Sequence, residues 1–304
     1  MMIRVCALVG PTAVGKTLAA LEVAESIGAE IVSVDSMQVY RAMDIGTDKA
    51  GPEVRARVPH HLLDLCDPDH ELTVAEFQGL ARDAIEDIAG RGRTPLLVGG
   101  SGLYFRAVVD DLEFPPRSLE LRTSLEERID ELGAEALYAE LRELDPWAAS
   151  RIEPNNARRI VRALEVIELT GRPFSANTAW DRYESRYDLR VAGLERPREE
   201  LYERIEQRVE RMVERGLAEE VRALDQRGMS ATARQALGYK QILDAGPNAD
   251  PEGVRGEIVR ATKRFARRQL SWFKSDPRIE WVDPSDPALA DRLRALFAPE
   301  GALP

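Results

Sequence analysis

The sequence has few of the residues that build disulfide frameworks or metal centres. It contains two cysteines and three histidines among 304 residues, and the lack of any C-x-x-C pair excludes a cysteine-based zinc site. Cys6 lies in an apolar run that is typical of a buried strand, so we expect no disulfide framework and a reducing, cytoplasmic location. The adjacent His60 and His61 have only Asp64 as a close acid, which favours hydrogen bonding in the fold over a metal site.

Long apolar runs are also missing. No stretch approaches the length of a membrane-spanning helix, so we expect no membrane partner. The first apolar run begins almost at the N-terminus, from which we expect no signal peptide. The length suits one large domain or two modest ones with a substantial core.

Acidic residues outnumber basic ones, 53 to 42, but the basic residues cluster in two places. The formal net charge of −11 by itself argues against a nucleic-acid partner. Basic residues nevertheless cluster between Arg255 and Lys274, and a second cluster contains Arg151, Arg158, Arg159 and Arg162. Local clusters are what a phosphate backbone contacts, although either one alone would also suit a solvated helix face.

The most informative motif is G-P-T-A-V-G-K-T, a complete G-x-x-x-x-G-K-[ST] phosphate loop. It follows the apolar run 5–9 and precedes 18–24, which has helical composition, so the order strand, loop and helix is present. Its members, which we predict to bind diphosphate, are Gly10, Pro11, Thr12, Ala13, Val14, Gly15, Lys16 and Thr17. Backbone N–H groups of such a loop surround an anion, the lysine adds a charge, and the Thr17 hydroxyl is placed to ligate Mg²⁺.

Strand and helix signals alternate through the first hundred residues. The run 30–35 ends on Asp35, residues 73–89 have helical spacing with a Thr73 cap, and the run 95–98 ends at Gly99–Gly102. This alternation predicts an α/β fold, a P-loop NTPase-like parallel sheet flanked by helices. Because ligands gather at the carboxyl ends of parallel strands, three loops should converge on one site.

The chain becomes charged and helical after Phe114-Pro115-Pro116. We predict three segments: residues 1–113 as the first part of the P-loop core, 114–191 as a helical insertion, and 192–304 as the rest of the core with a basic C-terminal helix. Within the last segment, 279–282 is a possible final strand, and a peripheral helix and loose end follow Pro284.

Asp35 is the second chemical anchor. A carboxylate at the end of the strand after the P-loop helix suits a metal ligand, an acceptor for a substrate hydroxyl, or a general base. A helix N-cap is the structural alternative. Position alone does not distinguish these roles.

From the phosphate loop onward, the sequence resembles the bacterial tRNA dimethylallyltransferases, also called tRNA isopentenyltransferases. The loop itself is generic, but the ordered series of motifs from Gly10 to Phe273 is highly specific. Besides the loop and Arg159, the matching segments are DSMQVYR (35–41), DIGTDK (44–49), HHLLD (60–64), VGGSGLY (98–104), PNN (154–156), RALEV (162–166), RIEQRV (204–209), QALGYK (235–240), TKR (262–264) and WF (272–273).

The resemblance implies transfer of a dimethylallyl group from dimethylallyl diphosphate to N6 of the adenosine 3′-adjacent to the anticodon, usually in tRNAs that read codons starting with U. It implies Mg²⁺ as cofactor and a tRNA anticodon stem-loop as partner, and we expect a monomer. Asp35 would take the proton of a poorly nucleophilic amine, and Arg208 would help to bind the leaving diphosphate. On sequence alone, Arg208 would also suit the surface of an amphipathic helix.

The catalytic residues that the resemblance implies are Asp35, Ser101 and Arg208. Ser101 departs from the family, which usually has threonine there; since the hydroxyl is kept, we expect a tuned rather than an inactive site. The residues that it implies in contact with tRNA are Asp35, Ser36, Met37, Gln38, Ser101, Thr123, Arg158, Arg159, Ile160, Val161, Arg162, Gln235, Gly238, Tyr239, Lys240, Lys263, Arg264 and Arg267.

Three other functions remain open from the sequence. A small-molecule or nucleoside kinase would use the same phosphate loop and Asp35, but it has no need of the basic clusters. An adenylate isopentenyltransferase would need only a small acceptor pocket. A non-catalytic RNA-binding module would leave the intact phosphate loop unexplained.

Overall fold

The structure, a computed structural model, describes residues 2–176, 182–246 and 251–298. The chain forms two compact units, one of Met1–Asp111 with Glu184–Pro304 and the other of Leu112–Tyr183. The second unit therefore interrupts the first in sequence.

The predicted insertion, 114–191, extends too far towards the C-terminus. Residues from Glu184 onward belong to the first unit, and its fifth strand already begins at Asp188. The Asp188 carboxylate accepts from the Arg4 guanidinium (Nη2 to Oδ2, 2.6 Å), which fixes the start of this strand beside the first one. Residues 188 and 190 are charged, so the apolar pattern of the sequence indicates a strand only from Val191 onward.

A single parallel sheet organises the first unit, and the predicted fold class is confirmed. Its strand order is β3-β2-β4-β1-β5-β6, with every pair parallel. The strands are β1 (Arg4–Val9), β2 (Ala29–Ser33), β3 (His60–His61), β4 (Thr94–Gly99), β5 (Asp188–Leu194) and β6 (Ile279–Val282). Residues 5–9 of the central β1 are fully buried, as expected of a strand covered on both faces.

The strand register brings the carboxyl ends together. Val9 at the end of β1 pairs with Gly99 of β4 on one side and with Gly193 of β5 on the other. Ser33 at the end of β2 pairs with Val98 of β4. The loops that leave β1, β2, β4 and β5 therefore start at one level of the sheet.

Helices flank this sheet. Those of the first unit are α1 (Lys16–Ile27), α2 (Pro52–Arg57), α3 (Val74–Gly90), α4 (Gly102–Val109), α9 (Arg198–Glu214), α10 (Leu217–Arg227), α11 (Tyr239–Ala245), α12 (Pro251–Lys274) and α13 (Leu289–Phe297). The predicted Thr73 cap is confirmed, since its hydroxyl accepts from Glu76 N while the Glu76 carboxylate accepts from Thr73 N. Within the described residues, no helix has the length and apolarity needed to cross a bilayer.

The second unit is a helical bundle with a core of its own. It contains α5 (Leu119–Leu132), α6 (Ala134–Leu144), α7 (Pro146–Ala149) and α8 (Ala157–Thr170). Helix α8 begins after Asn156, whose side chain accepts from Arg159 N, and ends at Gly171 with φ 65°. Leu125, Leu141 and Ile160 are among the buried side chains that hold these helices together.

Candidate active site

The phosphate loop connects β1 to α1, and its backbone has three residues with positive φ: Gly10 (144°), Ala13 (64°) and Gly15 (112°). A Cβ at position 10 would lie 2.7 Å from the carbonyl oxygen of Leu194, so this position accepts only glycine. Ala13 adopts the left-handed region in spite of its Cβ, which costs free energy that surrounding contacts must offset.

Side chains distant in sequence hold this loop from outside. The Arg204 guanidinium of α9 donates to the Ala13 carbonyl (2.9 Å), and Arg196 donates to the Val14 carbonyl (3.0 Å). The Gln269 carboxamide of α12 accepts from Thr12 N at 2.9 Å. Sequence reasoning assigned no role to these three residues, because their partners lie about 180 to 260 positions away and leave no local signal.

Lys16 turns back onto the loop, where its ammonium donates to the carbonyls of Gly10 (2.9 Å) and Pro11 (2.7 Å). Burial lowers the pKa of Lys16 to about 7; the Asp35 carboxylate opposes this shift, and the Arg208 guanidinium adds to it. Both groups therefore lie near enough to Lys16 to affect its charge. The structure thus brings Lys16, predicted to bind diphosphate, near two of the three predicted catalytic residues, Asp35 and Arg208.

Asp35 follows β2 and begins a turn. Its Oδ1 accepts from Met37 N at 2.9 Å, and in the described part of the chain its second oxygen has no hydrogen-bond partner. The Ser101 hydroxyl, at the start of α4, accepts from Ser36 N (3.2 Å) and contacts Ser36 Oγ (3.3 Å). The turn after β4 thus directly supports the Asp35 turn, and the serine hydroxyl suffices for this contact.

Gln38 and Arg208 meet at one carbonyl. Gln38 Nε2 donates to the Thr47 carbonyl (3.2 Å) and Arg208 Nη2 contacts the same oxygen at 3.5 Å. Gln38 Oε1 accepts from Ser33 Oγ (3.0 Å), and Arg208 Nη1 lies 3.5 Å from Asp48 Oδ2. Both side chains are held in position, but Gln38 must exchange these partners before it can contact a base edge.

The long segment between Asp35 and α2 is held by two ion pairs of one buried lysine. Lys49, with 1% of its side chain exposed, donates to Asp44 Oδ1 (2.8 Å) and Asp64 Oδ1 (2.7 Å). The Glu220 carboxylate of α10 accepts from the successive backbone N–H groups of residues 44, 45 and 46. The motifs DIGTDK and HHLLD are therefore structural supports of the Asp35 segment.

Two of the residues predicted to contact tRNA lie near that support. Tyr239 is completely buried, its hydroxyl bonds to Glu220, and burial raises its pKa. A Cβ on Gly46 would lie 2.2 Å from the Tyr239 ring, so the two residues fit each other tightly. Its neighbour Gly238 is also buried and has φ 89°, so the side chain of Tyr239 packs in the core and neither residue presents a surface group here.

Exposed candidates for RNA contact remain on the first unit. Gln235 is exposed, while Lys240 pairs with Asp244 (3.1 Å) and Lys263 pairs with Glu206. Across the described residues, the guanidinium groups of three exposed α12 side chains make no ion pair: Arg264, Arg267 and Arg268. These three are the cations of α12 that remain available to an external phosphate.

The second unit divides its predicted contacts differently. Arg158 and Arg159 are exposed at the start of α8, and Thr123 is exposed on α5. Arg162 instead donates to the Pro115 carbonyl (2.8 Å), the Pro116 carbonyl (3.0 Å) and Glu165 (2.7 Å). These bonds stabilise the first residues of the second unit. Ile160 and Val161 are buried in the bundle core, so their side chains are not offered to a ligand.

The two histidines act in hydrogen bonding, as expected. His60 Nδ1 lies 2.7 Å from the Val58 carbonyl, and His61 Nε2 lies 2.7 Å from Glu30 Oε2. Both contacts belong to the edge of the sheet formed by β2 and β3.

Comparisons with known proteins point to one family. The sequence model of the family described as IPP transferase matches residues 38–276, and that described as isopentenyl transferase matches residues 3–57. A tRNA dimethylallyltransferase of Streptomyces coelicolor is 53% identical over 92% of this chain and 90% of its own length.

Solved structures give the same result. The full-length tRNA isopentenylpyrophosphate transferase of Bacillus halodurans is 40% identical, with TM-score 0.70 over 98% of this chain and 95% of that one. A eukaryotic dimethylallyltransferase, described as acting on tRNA, is 26% identical, with TM-score 0.81 over 96% of this chain and 77% of that one.

Proposed function

The chain belongs to the IPP transferase family, and on that premise we propose that it is a tRNA dimethylallyltransferase. It transfers a dimethylallyl group from dimethylallyl diphosphate to N6 of the adenosine that follows the anticodon. The observation that carries this assignment is the proximity of Lys16 to Asp35 and Arg208, both of which act on the charge of this phosphate-binding lysine.

The reaction needs a site for negative charge that grows on the leaving group. The C1–O bond of the donor breaks and its electron pair goes to the diphosphate, whose oxygens meet the P-loop amides, Lys16 and Arg208. The C1–N6 bond forms, and the amine loses a proton. Asp35 supplies an acceptor for that proton, since one of its oxygens has no partner among the described residues.

Mg²⁺ fits this arrangement as an ion held largely by the substrate. Among the described residues, no group of three His, Cys, Asp or Glu side chains forms a metal site by itself. Mg²⁺ usually keeps water ligands and binds through phosphates with one or two protein oxygens, and the exposed Thr17 hydroxyl in the first turn of α1 suits that role. When bound, the ion supplies positive charge to the diphosphate.

We assign the acceptor side to tRNA because each unit carries exposed arginines that form no ion pair with any described residue. Arg264, Arg267 and Arg268 of α12 and Arg158 and Arg159 of α8 provide phosphate contacts. The adenosine must leave its stack to reach the Asp35 turn, where Gln38 has the donor and acceptor groups that an adenine edge needs. The protein acts in the cytoplasm as a monomer.

One experiment tests the assignment against its rivals. The protein is incubated with dimethylallyl diphosphate, Mg²⁺ and unmodified tRNA, and the digested RNA is examined for prenyl-adenosine by mass spectrometry. A transcript with guanosine 3′ of the anticodon is the matched control and should give no product. Prenylation of free AMP would support the adenylate isopentenyltransferase alternative. Turnover of ATP without tRNA would support the kinase, and binding of tRNA without any product would support the RNA-binding module.

A further inference from the structure

Gln269 occupies a position that the proposed chemistry does not yet use. It lies on α12 with only 7% of its surface exposed, and its carboxamide makes two hydrogen bonds. Oε1 accepts from Thr12 N at 2.9 Å, and Nε2 donates to the Gly100 carbonyl at 2.8 Å. The partners fix the orientation of the amide, because an N–H group only donates and a carbonyl only accepts.

The space around this carboxamide is closed. A Cβ on Gly100 would lie 2.3 Å from Gln269 Nε2, so position 100 must be glycine for the amide to reach the carbonyl. A Cβ on Gly102 would lie 2.1 Å from the ring of Trp272, which is also on α12. The glycine-rich turn after β4 is therefore shaped to receive α12, in addition to lying near the ligand.

The two hydrogen bonds of Gln269 lead to the two halves of the site. Thr12 belongs to the loop that surrounds the diphosphate. Gly100 precedes Ser101, whose hydroxyl contacts both the backbone and the side chain of Ser36. Ser36 directly follows Asp35, the proposed general base. The Gln269 side chain therefore connects the phosphate loop to the turn that carries Asp35.

We propose that Gln269 is a positioning residue that fixes the distance between the phosphate loop and the Asp35 turn. This inference rests on the proposed function, in which the allylic carbon is held by the first loop and the amine by the second. Displacements of about 1 Å between reacting groups reduce rates by as much as about 100-fold, so a fixed separation directly supports the transfer step.

The first test separates positioning from binding. Gln269→Met keeps the length of the side chain and removes both hydrogen bonds. We expect the single-turnover rate of transfer at saturating donor and tRNA to fall about 10- to 100-fold while the affinity for tRNA stays within about twofold, because the exposed arginines of α12 are untouched. Gln226→Met on α10 is the matched control, since Gln226 is exposed and the proposed machinery does not include it. An unchanged single-turnover rate, or a change confined to the affinity for tRNA, would overturn the proposal.

A second variant gives a pH signature. In Gln269→Glu the carboxylate still accepts from Thr12 N but repels the Gly100 carbonyl, whereas the protonated acid donates to it. The ratio of variant to wild-type single-turnover rate should therefore rise as pH falls from 8.5 to 6, while the Gln269→Met ratio stays flat. Lys16 and Asp35, the titratable groups on the two loops, are present in wild type and in both variants, and the Gln269→Met ratio serves as the control for their titration. A flat ratio for Gln269→Glu would contradict the bridging role.

A third measurement does not depend on activity. Amide hydrogen exchange in Gln269→Met should become faster in the phosphate loop and in the 99–102 turn together, and stay unchanged in Gln226→Met. If the wild-type protein made no prenyl-adenosine, the proposed function would fail while this experiment still decided whether Gln269 joins the loops. Unchanged exchange in both segments would refute the inference even in an active enzyme.

Discussion

At the residue scale, the site depends on charges that the fold places without full compensation. Lys16 has a lowered pKa because it is buried near Arg208, and Asp35 opposes that shift. A bound diphosphate supplies negative charge beside the Lys16 and Arg208 side chains. The ionisation of single residues should therefore report directly on donor binding.

Binding of the donor should take up a proton at Lys16. Above pH 7 the free lysine is mostly neutral, since its pKa is lowered to about 7, and bound phosphates favour the ammonium form. At pH 8.5, proton uptake on binding dimethylallyl diphosphate without tRNA should approach about one per site, and it should decline below pH 7. Calorimetry in buffers of different ionisation enthalpy measures this uptake, which should disappear in Lys16→Met.

Asp35→Asn should affect the chemical step much more than tRNA binding. The amide oxygen can still accept from Met37 N, so the turn is kept while the proton acceptor is lost. We expect single-turnover rates at saturating tRNA to fall about 10²- to 10⁴-fold. Asp67→Asn, which changes an exposed carboxylate paired with Arg41, is the control. A loss of only a few-fold would remove Asp35 from the role of base.

At the element scale, α12 has two different faces. Its inward face carries Gln269 and the fully buried Phe273, and its outward face carries Arg264, Arg267 and Arg268. Other basic residues of the helix are neutralised by neighbours, as Lys263 is by Glu206 and Lys274 is by Glu195. Only part of the basic cluster in the sequence thus remains without an ion pair among the described residues.

Replacing those three arginines with glutamine should weaken tRNA binding and its dependence on salt. Each lost phosphate contact lowers the log–log salt slope by roughly 0.7 to 0.9, so three contacts give a decrease of roughly 2 to 3. Affinity for dimethylallyl diphosphate should barely change, because the phosphate loop is untouched. Filter binding of tRNA at several salt concentrations checks this.

The control removes equal charge elsewhere, by glutamine substitution of three exposed arginines: Arg227, Arg292 and Arg294. Counterion release depends on local ion pairs and not on net charge, so this variant should keep the wild-type slope. Equal slopes for all three proteins would show that the outward face of α12 is merely solvated.

At the scale of the whole molecule, the sequence predicts the parallel sheet better than it predicts the long-range side-chain contacts that hold the loops. Alternating strand and helix signals suffice for the parallel sheet, and the rule that ligands gather at carboxyl ends suffices to bring Asp35 to the phosphate loop. Local patterns contain nothing about Arg196, Arg204 and Gln269, because those contacts exist only after distant segments have packed. A basic pattern also cannot distinguish Arg162, which bonds within its own unit, from the exposed Arg158.

A buried carboxylate at the edge of the sheet should make global stability depend on pH. Glu30 has 5% of its side chain exposed, and hydrogen bonds from Arg91, with those from His61, lower its pKa to about 2. Its stabilisation is therefore complete above about pH 4.5 and is lost as pH falls towards 2. Glu30→Gln should lower the free energy of unfolding by about 1–3 kcal/mol at pH 7, since Arg91 is partly exposed.

Urea unfolding at several pH values measures this difference. The gap between wild type and Glu30→Gln should be constant from pH 7 to about 5 and become smaller in more acid solution. Glu25→Gln, which breaks an exposed pair with Arg57, should give almost no gap at any pH. A gap that persists undiminished at pH 3 would assign the stabilisation to packing and not to ionisation.

The braced phosphate loop has a consequence for turnover. Arg196 and Arg204 fix two carbonyls of the phosphate loop, so the loop cannot easily change its conformation after bond cleavage. It therefore binds the departing diphosphate about as firmly as it binds the donor. Product release then limits the cycle, as it does in many enzymes. Rapid-quench experiments should show a burst of about one prenyl-adenosine per enzyme before a slower steady state, and added diphosphate should compete with the donor. A linear time course without a burst would mean that the loop opens readily despite its fastenings.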